Sequence, residues 1–90
     1  MVVARARVIA RGRVQGVFFR SEARSRARSA GLRGWVRNRR DGAVEAVFEG
    51  PPEAVESMLR WCERGPAGAR VDSVEVEWEE PAGEPVFEVR

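Results

Sequence analysis

The alternation from Ala4 to Gly12 constrains the fold more than any other feature of the chain. Ala4, Ala6, Val8 and Ala10 fall on one side of an extended segment, with Arg5, Arg7, Ile9 and Arg11 on the other. That is the two-residue period of a strand. A loop follows, Gly12-Arg13-Val14-Gln15-Gly16-Val17, and the period then changes. Phe19, Ala23, Ala27 and Ala30 recur at helical spacing up to Gly31, a residue suited to ending a helix. A strand joined through a helix to a second strand of the same sheet crosses over, so the two strands run parallel.

The remaining elements follow the same reasoning. Leu32 to Asn38 reads as the second strand and Ala43 to Gly50 as the third, joined at Arg40-Asp41-Gly42, where Asp-Gly is hairpin chemistry. Pro51-Pro52 opens a second helix, with Val55, Met58, Leu59 and Cys62 on one face and Gly65-Pro66 at its end. Arg70 to Glu79 alternates again, and Val86 to Arg90 makes a short final strand. The order β-α-β-β-α-β with a fifth short strand predicts an α+β fold. It is a two-layer sandwich of an antiparallel sheet with both helices on one face. The first strand then lies between the third and fourth. Its Arg5, Arg7 and Arg11 face Glu45 and Glu49 on one side and Glu75, Glu77 and Glu79 on the other, pairs that stabilise by a few tenths to about 1 kcal/mol each.

Composition removes whole mechanisms. The 90 residues suffice for one core, so residues 1–90 are expected to form a single domain. All 16 cationic residues are arginine, set against 14 acidic ones for a net charge of +2, so the basic balance is slight. There is no histidine, which excludes Ser-His-Asp and Cys-His sites, and with one cysteine the usual zinc ligand sets are excluded too. No metal and no cofactor are expected. Cys62 cannot form an internal disulfide and fits a reducing cytoplasm. No apolar run is long enough to span a membrane, and the first residues lack the apolar core of a signal peptide. Catalysis is left to arginine, amide side chains, backbone N–H groups or carboxylates.

Three features fit an anion. The loop from Gly12 to Phe18 leads from a strand into a helix, where glycines let unpaired N–H groups converge beside the helix N-terminus. Any β-α turn can carry two glycines, so this feature is weak alone. Arg20 sits in the first helical turn, where the dipole disfavours a cation by roughly 0.3–1 kcal/mol, and a guanidinium suits a phosphate. The other reading of Arg20 is a solvent-facing arginine paired with an acidic neighbour. Asn38, the only asparagine, ends the second strand at the sheet edge where the first strand ends, on the order of 10 Å away across one intervening strand. The other reading of Asn38 is a turn residue.

Gly12-Arg13-Val14-Gln15-Gly16-Val17-Phe18-Phe19-Arg20 closely resembles the signature loop of acylphosphatases, and Gly34-Trp35-Val36-Arg37-Asn38-Arg39-Arg40-Asp41-Gly42-Ala43-Val44-Glu45 resembles their second signature. Gly65-Pro66-Ala67-Gly68-Ala69-Arg70-Val71 is also similar to the family's pattern. The resemblance covers nearly the whole chain. It implies a ferredoxin-like fold and hydrolysis of the carboxyl-phosphate bond of acyl phosphates to a carboxylate and inorganic phosphate. It also implies that Val14, Gln15, Gly16, Val17, Phe18 and Phe19 form the phosphate-binding loop, that Arg20 binds the phosphate, and that Asn38 orients the attacking water. The expected partners are a small-molecule acyl phosphate and its phosphate product, with no nucleic acid and no membrane, for a cytoplasmic monomer.

Two non-enzymatic readings compete. Arg24, Arg26, Arg28, Arg33, Arg37, Arg39 and Arg40 invite RNA binding, but RNA-binding modules of this architecture stack bases on aromatic residues of the two central strands. Here the first strand has none, and Phe48 of the third falls on the core face with Val44. The other is a binding module of the kind found at the N-terminus of a hydrogenase-maturation carbamoyltransferase; a chain that starts at Met1 and stops just after its fifth strand favours a free-standing enzyme. Trp35, Trp61 and Trp78 are read as packing residues.

Overall fold

The computed structural model describes residues 2–90. Its elements are β1 (Ala4–Arg13), α1 (Phe19–Ser29), β2 (Arg33–Asn38), β3 (Val44–Gly50), α2 (Pro52–Arg64), β4 (Arg70–Glu79) and β5 (Phe87–Val89). They form one five-stranded sheet in the order β4-β1-β3-β2-β5. β3 is antiparallel to both β1 and β2, so β1 and β2 are parallel and end at the same edge, as the crossover requires. The sheet is mixed rather than wholly antiparallel, because β5 adds to β2 in parallel.

Both helices pack on the sheet face that carries Ala6, Val8 and Ala10, each at most 1 % exposed. α1 contributes a narrow stripe, Phe19, Ala23 and Ala27. Ala30, read as part of that stripe, is exposed at the C-cap. The helix ends because Gly31 adopts φ 73°, which lets its own N–H reach Arg28 O at 3.1 Å and the Leu32 N–H reach Ala27 O at 2.9 Å. That double return is the glycine-dependent C-terminal motif. α2 buries Val55, Met58, Trp61 and Cys62, with Leu59 only partly covered. Phe19 tilts onto Trp61 at 5.0 Å between ring centres, and Phe48 stacks on Phe87 at 5.5 Å, which fixes β5 to the core. Burial drives the Cys62 thiol up to about 12, aided by Glu63, so it stays a protonated, inert packing group.

The opposite face is closed by charge. Arg5 reaches Glu79 and Glu84 at 2.9 Å and Glu49 at 3.2 Å. Arg7 reaches Glu45 and Glu79, both at 2.7 Å, and Arg11 reaches Glu75 and Asp41 at 3.1 Å. The arginine stripe of β1 therefore has the cross-strand partners its register predicts, except that Glu77 forms no ion pair among the described residues. Trp35 lies beneath three guanidinium groups, Arg7, Arg37 and Arg90, at 5.0–5.7 Å. Trp78 departs from its reading as a packing residue. It is 54 % exposed on β4, an edge strand with nothing hydrogen-bonded beyond it.

Candidate active site

The strand that feeds the loop runs one residue further than the alternation indicates. Gly12 and Arg13 still pair with Val71 and Arg70 of β4 after a bulge between Arg11 and Gly12. Gly12 is required there because a Cβ would stand 2.2 Å from Arg70 O. It serves the bulge and the close approach of β4, and does not belong to the loop's curl. The loop proper is Val14 to Phe18, and its only glycine is Gly16, at φ 75° with open space where a Cβ would be.

Phe18 completes the turn in an unusual state. It is the one non-glycine residue with positive φ among the described residues (65°), and its side chain is 80 % exposed. A bulky residue in the left-handed region stores strain, of order 1–3 kcal/mol, and its ring gains nothing from burial. The loop has anchors on both sides that hold it there: Val14 and Phe19 are buried in the core, and the Phe18 carbonyl accepts from the Glu22 N–H at 3.0 Å. The consequence is a run of unpaired donors. Among the described residues, no backbone N–H from Gln15 to Ser21 finds a protein acceptor. Part of that run is the first turn of α1, whose N–H groups are unpaired in any helix.

Of this run, Gly16 and Phe18 to Ser21 line a cavity of about 450 Å³ together with Val14, Arg24 and Val89. Arg20 is half-buried and makes no ion pair with any described residue, so the solvent-facing, paired reading of it does not hold. Val17 points the other way, into the core. Asn38 lies outside this cavity. It is half-buried at the end of β2, opposite Val44, and lines a neighbouring depression with Arg37, Arg39, Arg40, Asp41 and Glu45.

Gln15 ties the loop to the β2–β3 hairpin. Its Nε2 donates to Arg39 O at 2.7 Å and to Ala43 O at 3.0 Å, the two carbonyls that frame the β2–β3 hairpin. Both amide protons of one side chain are thus spent on the hairpin that begins at Asn38. Within the hairpin Arg39 N–H donates to Ala43 O at 2.8 Å, and Asp41 Oδ1 accepts from the Ala43 N–H at 3.1 Å. That N–H, and then the Arg11 and Arg39 guanidinium groups, hold the Asp41 carboxyl below its usual range. Gln15 was expected only as part of the loop; its being the only glutamine in the chain is the one sequence signal of this second duty.

The carboxylates near the hairpin are already engaged. Burial works against the charged form of Glu45, but Arg37 and Arg7 outweigh it and hold its pKa below the ordinary value. Among the described residues no group of three or more His, Cys, Asp or Glu side chains is arranged to hold a metal ion. No helix of the described residues is long and apolar enough to cross a membrane. The open face of β1 and β3, where a base would stack, carries ion pairs rather than exposed aromatic rings.

What this arrangement can do is bind an anion through unpaired N–H groups and one guanidinium, beside a hairpin tied to the loop by the Gln15 amide. The chain matches the family model described as Acylphosphatase over residues 6–89. It is 58 % identical to an acylphosphatase of Roseiflexus sp. (strain RS-1), over 93 % of this chain and 90 % of that one. Among solved structures it superposes on an acylphosphatase from Coxiella burnetii with a TM-score of 0.93, at 35 % identity over 98 % of this chain and 93 % of that one. The corresponding values for acylphosphatase from Bacillus subtilis are 0.92 and 34 %, over 99 % of both chains. The chain belongs to the acylphosphatase family.

Proposed function

We propose that this protein is an acylphosphatase in which the loop from Val14 to Phe19 and Arg20 hold the phosphoryl group and Asn38 orients the water that attacks it. The observation that carries the assignment is the run of unacceptored N–H groups from Gln15 to Ser21, set against an unpaired Arg20 in one cavity. An acyl phosphate is an activated anhydride, so its carboxylate leaves with little help from a general acid. The remaining demands are to fix the phosphoryl oxygens, spread their charge and bring water in line. N–H donors and a forked guanidinium meet the first two. The Asn38 side-chain oxygen can accept a hydrogen bond from the water and so aim the water's lone pair at phosphorus. As the new O–P bond forms, the P–O bond to the carboxylate breaks, and a water proton passes to a phosphoryl oxygen, giving carboxylate and inorganic phosphate.

Gln15 acts in this scheme as a positioning residue. The cradle follows β1 and Asn38 ends β2, with β3 between those two strands, and the Gln15 amide is a direct hydrogen-bonded link from the loop to the hairpin. Replacing Gln15 with alanine removes this tether from the turn that follows Asn38, and a displacement of about 1 Å at Asn38 costs up to about 100-fold in turnover. Gln15→Ala is therefore expected to lower kcat while phosphate inhibition changes little, because the loop's own N–H donors remain. Equal losses in both would show that the side chain shapes the cradle instead.

The enzyme is read as a single domain over residues 1–90, working as a monomer in the cytoplasm. The direct test is phosphate release from acetyl phosphate and benzoyl phosphate with and without EDTA. Activity that EDTA leaves intact is expected, since the scheme assigns no step to a metal. Asn38→Ala is expected to lower kcat by about 100-fold with phosphate inhibition largely unchanged. Full turnover in that variant would overturn the water-orienting role.

A further inference from the structure

α1 carries four arginines on eleven residues, and the structure divides them into two pairs. Arg26 donates to Glu22 at 3.0 Å and lies over the Trp61 ring, and Arg28 donates twice to Phe87 O, at 2.9 and 3.1 Å. Those two are occupied in holding the fold. Arg20 and Arg24 meet no carboxylate and no carbonyl acceptor among the described residues, and both line the same cavity. They are four residues apart, hence neighbours on one helix face with about 5–6 Å between their Cβ atoms. Two like charges at that spacing repel by a few tenths of a kcal/mol in a helix, and neither has a counter-charge to relieve it.

The rest of the cavity says what else can enter. Phe18 holds its ring out on one side, Val89 lines another, and Ser21 has its hydroxyl turned to Phe18 O at 3.2 Å. The phosphoryl group at Arg20 and the loop leaves the acyl part to extend past these apolar surfaces. We infer that Arg24 is a specificity-determining residue, forming with Phe18 and Val89 a subsite for acyl phosphates that carry a second anionic group, a carboxylate or phosphate, at the far end of the acyl moiety. This rests on the phosphate position proposed above. It goes beyond that reading in assigning substrate discrimination to Arg24, a residue outside the loop, Arg20 and Asn38.

Benzoyl phosphate and its 3- and 4-carboxy derivatives provide a matched set, since the ring is rigid and only the remote charge changes. For the wild-type protein at low salt, the better of the two carboxy derivatives is expected to exceed benzoyl phosphate in kcat/KM by about fivefold, the upper end of what an exposed charge pair supplies. The preference should shrink by 0.3 M salt, where the screening length falls below the subsite's dimensions. Arg24→Gln is expected to remove the preference and Arg24→Glu to invert it. Arg60→Gln, on the exposed side of α2 and outside the cavity, should leave the ratio unchanged.

The outcomes separate cleanly. A wild-type enzyme that hydrolyses all three substrates alike overturns the subsite while the acylphosphatase reading stands. So does a preference that Arg24→Gln leaves in place, or one that Arg60→Gln lowers equally, which would be the field of the whole protein. No phosphate release from any of the three overturns the acylphosphatase reading itself.

Discussion

Arg20→Ala is expected to lower kcat/KM for benzoyl phosphate by about a thousandfold and to leave the protein at least as stable as before. The first half follows from what the guanidinium is proposed to do. One preorganised donor aimed at developing charge is worth about 100- to 1,000-fold, and loss of a desolvated charged partner costs about 2–5 kcal/mol. A phosphoryl group that loses its only cation sits at the upper end. Phosphate inhibition should weaken in parallel, because product and substrate share the same oxygens. Arg20→Lys keeps the charge but not the fork, and is expected to recover only part of the loss.

The second half follows from what Arg20 does not do. It makes no ion pair with any described residue, and it occupies the first turn of a helix, where a cation is unfavourable by about 0.3–1 kcal/mol. Removing it takes no ion pair from the fold and relieves that repulsion, which offsets the packing lost with its half-buried stem. Thermal unfolding and activity therefore move in opposite directions, which a merely structural arginine would not do. Added guanidinium ion at millimolar concentration should restore part of the activity of Arg20→Ala. A thousandfold loss accompanied by a lower Tm would assign Arg20 to the fold instead of the phosphate.

The distribution of strain and charge also explains which parts of the molecule were legible in the sequence. The period of β1 is plain because Ala6, Val8 and Ala10 face the helices, while β3, buried from Val44 to Glu49, and β4, an edge strand with no fully buried residue, show their period in the alternation of apolar residues with glutamates. The arginine stripe could be paired with its glutamates because register follows from that alternation. Gly12 was misassigned to the loop because a bulge and a curl ask for the same residue, and only the nearness of Arg70 O distinguishes them. The parallel pairing of β5 was not readable, since three residues of strand carry too few side chains to set a direction. Phe18 was beyond reach for a different reason. Nothing in a phenylalanine favours positive φ, and the conformation is imposed by anchors on both sides of it. Gln15 likewise shows its partners only once Arg39 O and Ala43 O have been brought to it by the fold.

Glu49→Ala is expected to destabilise the protein by about 3–5 kcal/mol, more than any surface charge change in the chain. Its carboxylate is 5 % exposed and accepts from three consecutive backbone N–H groups, Ala82 at 2.7 Å, Gly83 at 2.9 Å and Glu84 at 3.0 Å. It also receives the Arg5 guanidinium at 3.2 Å. The segment between β4 and β5 is thus folded around one side chain. Without it, three N–H groups and part of a buried guanidinium lose their acceptor together. For a domain of this size 1 kcal/mol shifts Tm by about 4–8 °C, so a fall of about 12–40 °C is expected. Glu77→Ala, in the same stripe but without an ion pair, should stay within about 0.5 kcal/mol of wild type.

The same carboxylate sets an acid limit. Burial opposes its charged form, yet the backbone donors and Arg5 prevail and hold its pKa below the ordinary glutamate value. Glu45 is lowered despite burial by Arg37 and Arg7, and Glu79 by Arg7 and Arg5. A carboxyl whose pKa is lower folded than unfolded contributes stability that is complete above its unfolded pKa. That stability is lost as pH falls through the folded value. Stability should therefore be level from neutral pH down to about pH 5 and then fall steadily. In Glu49→Ala the starting stability is lower but the acid slope is shallower, because one of the linked protons is gone. An acid slope unchanged from wild type would mean that Glu49 titrates alike in both states, and that the three N–H bonds do not hold its charge.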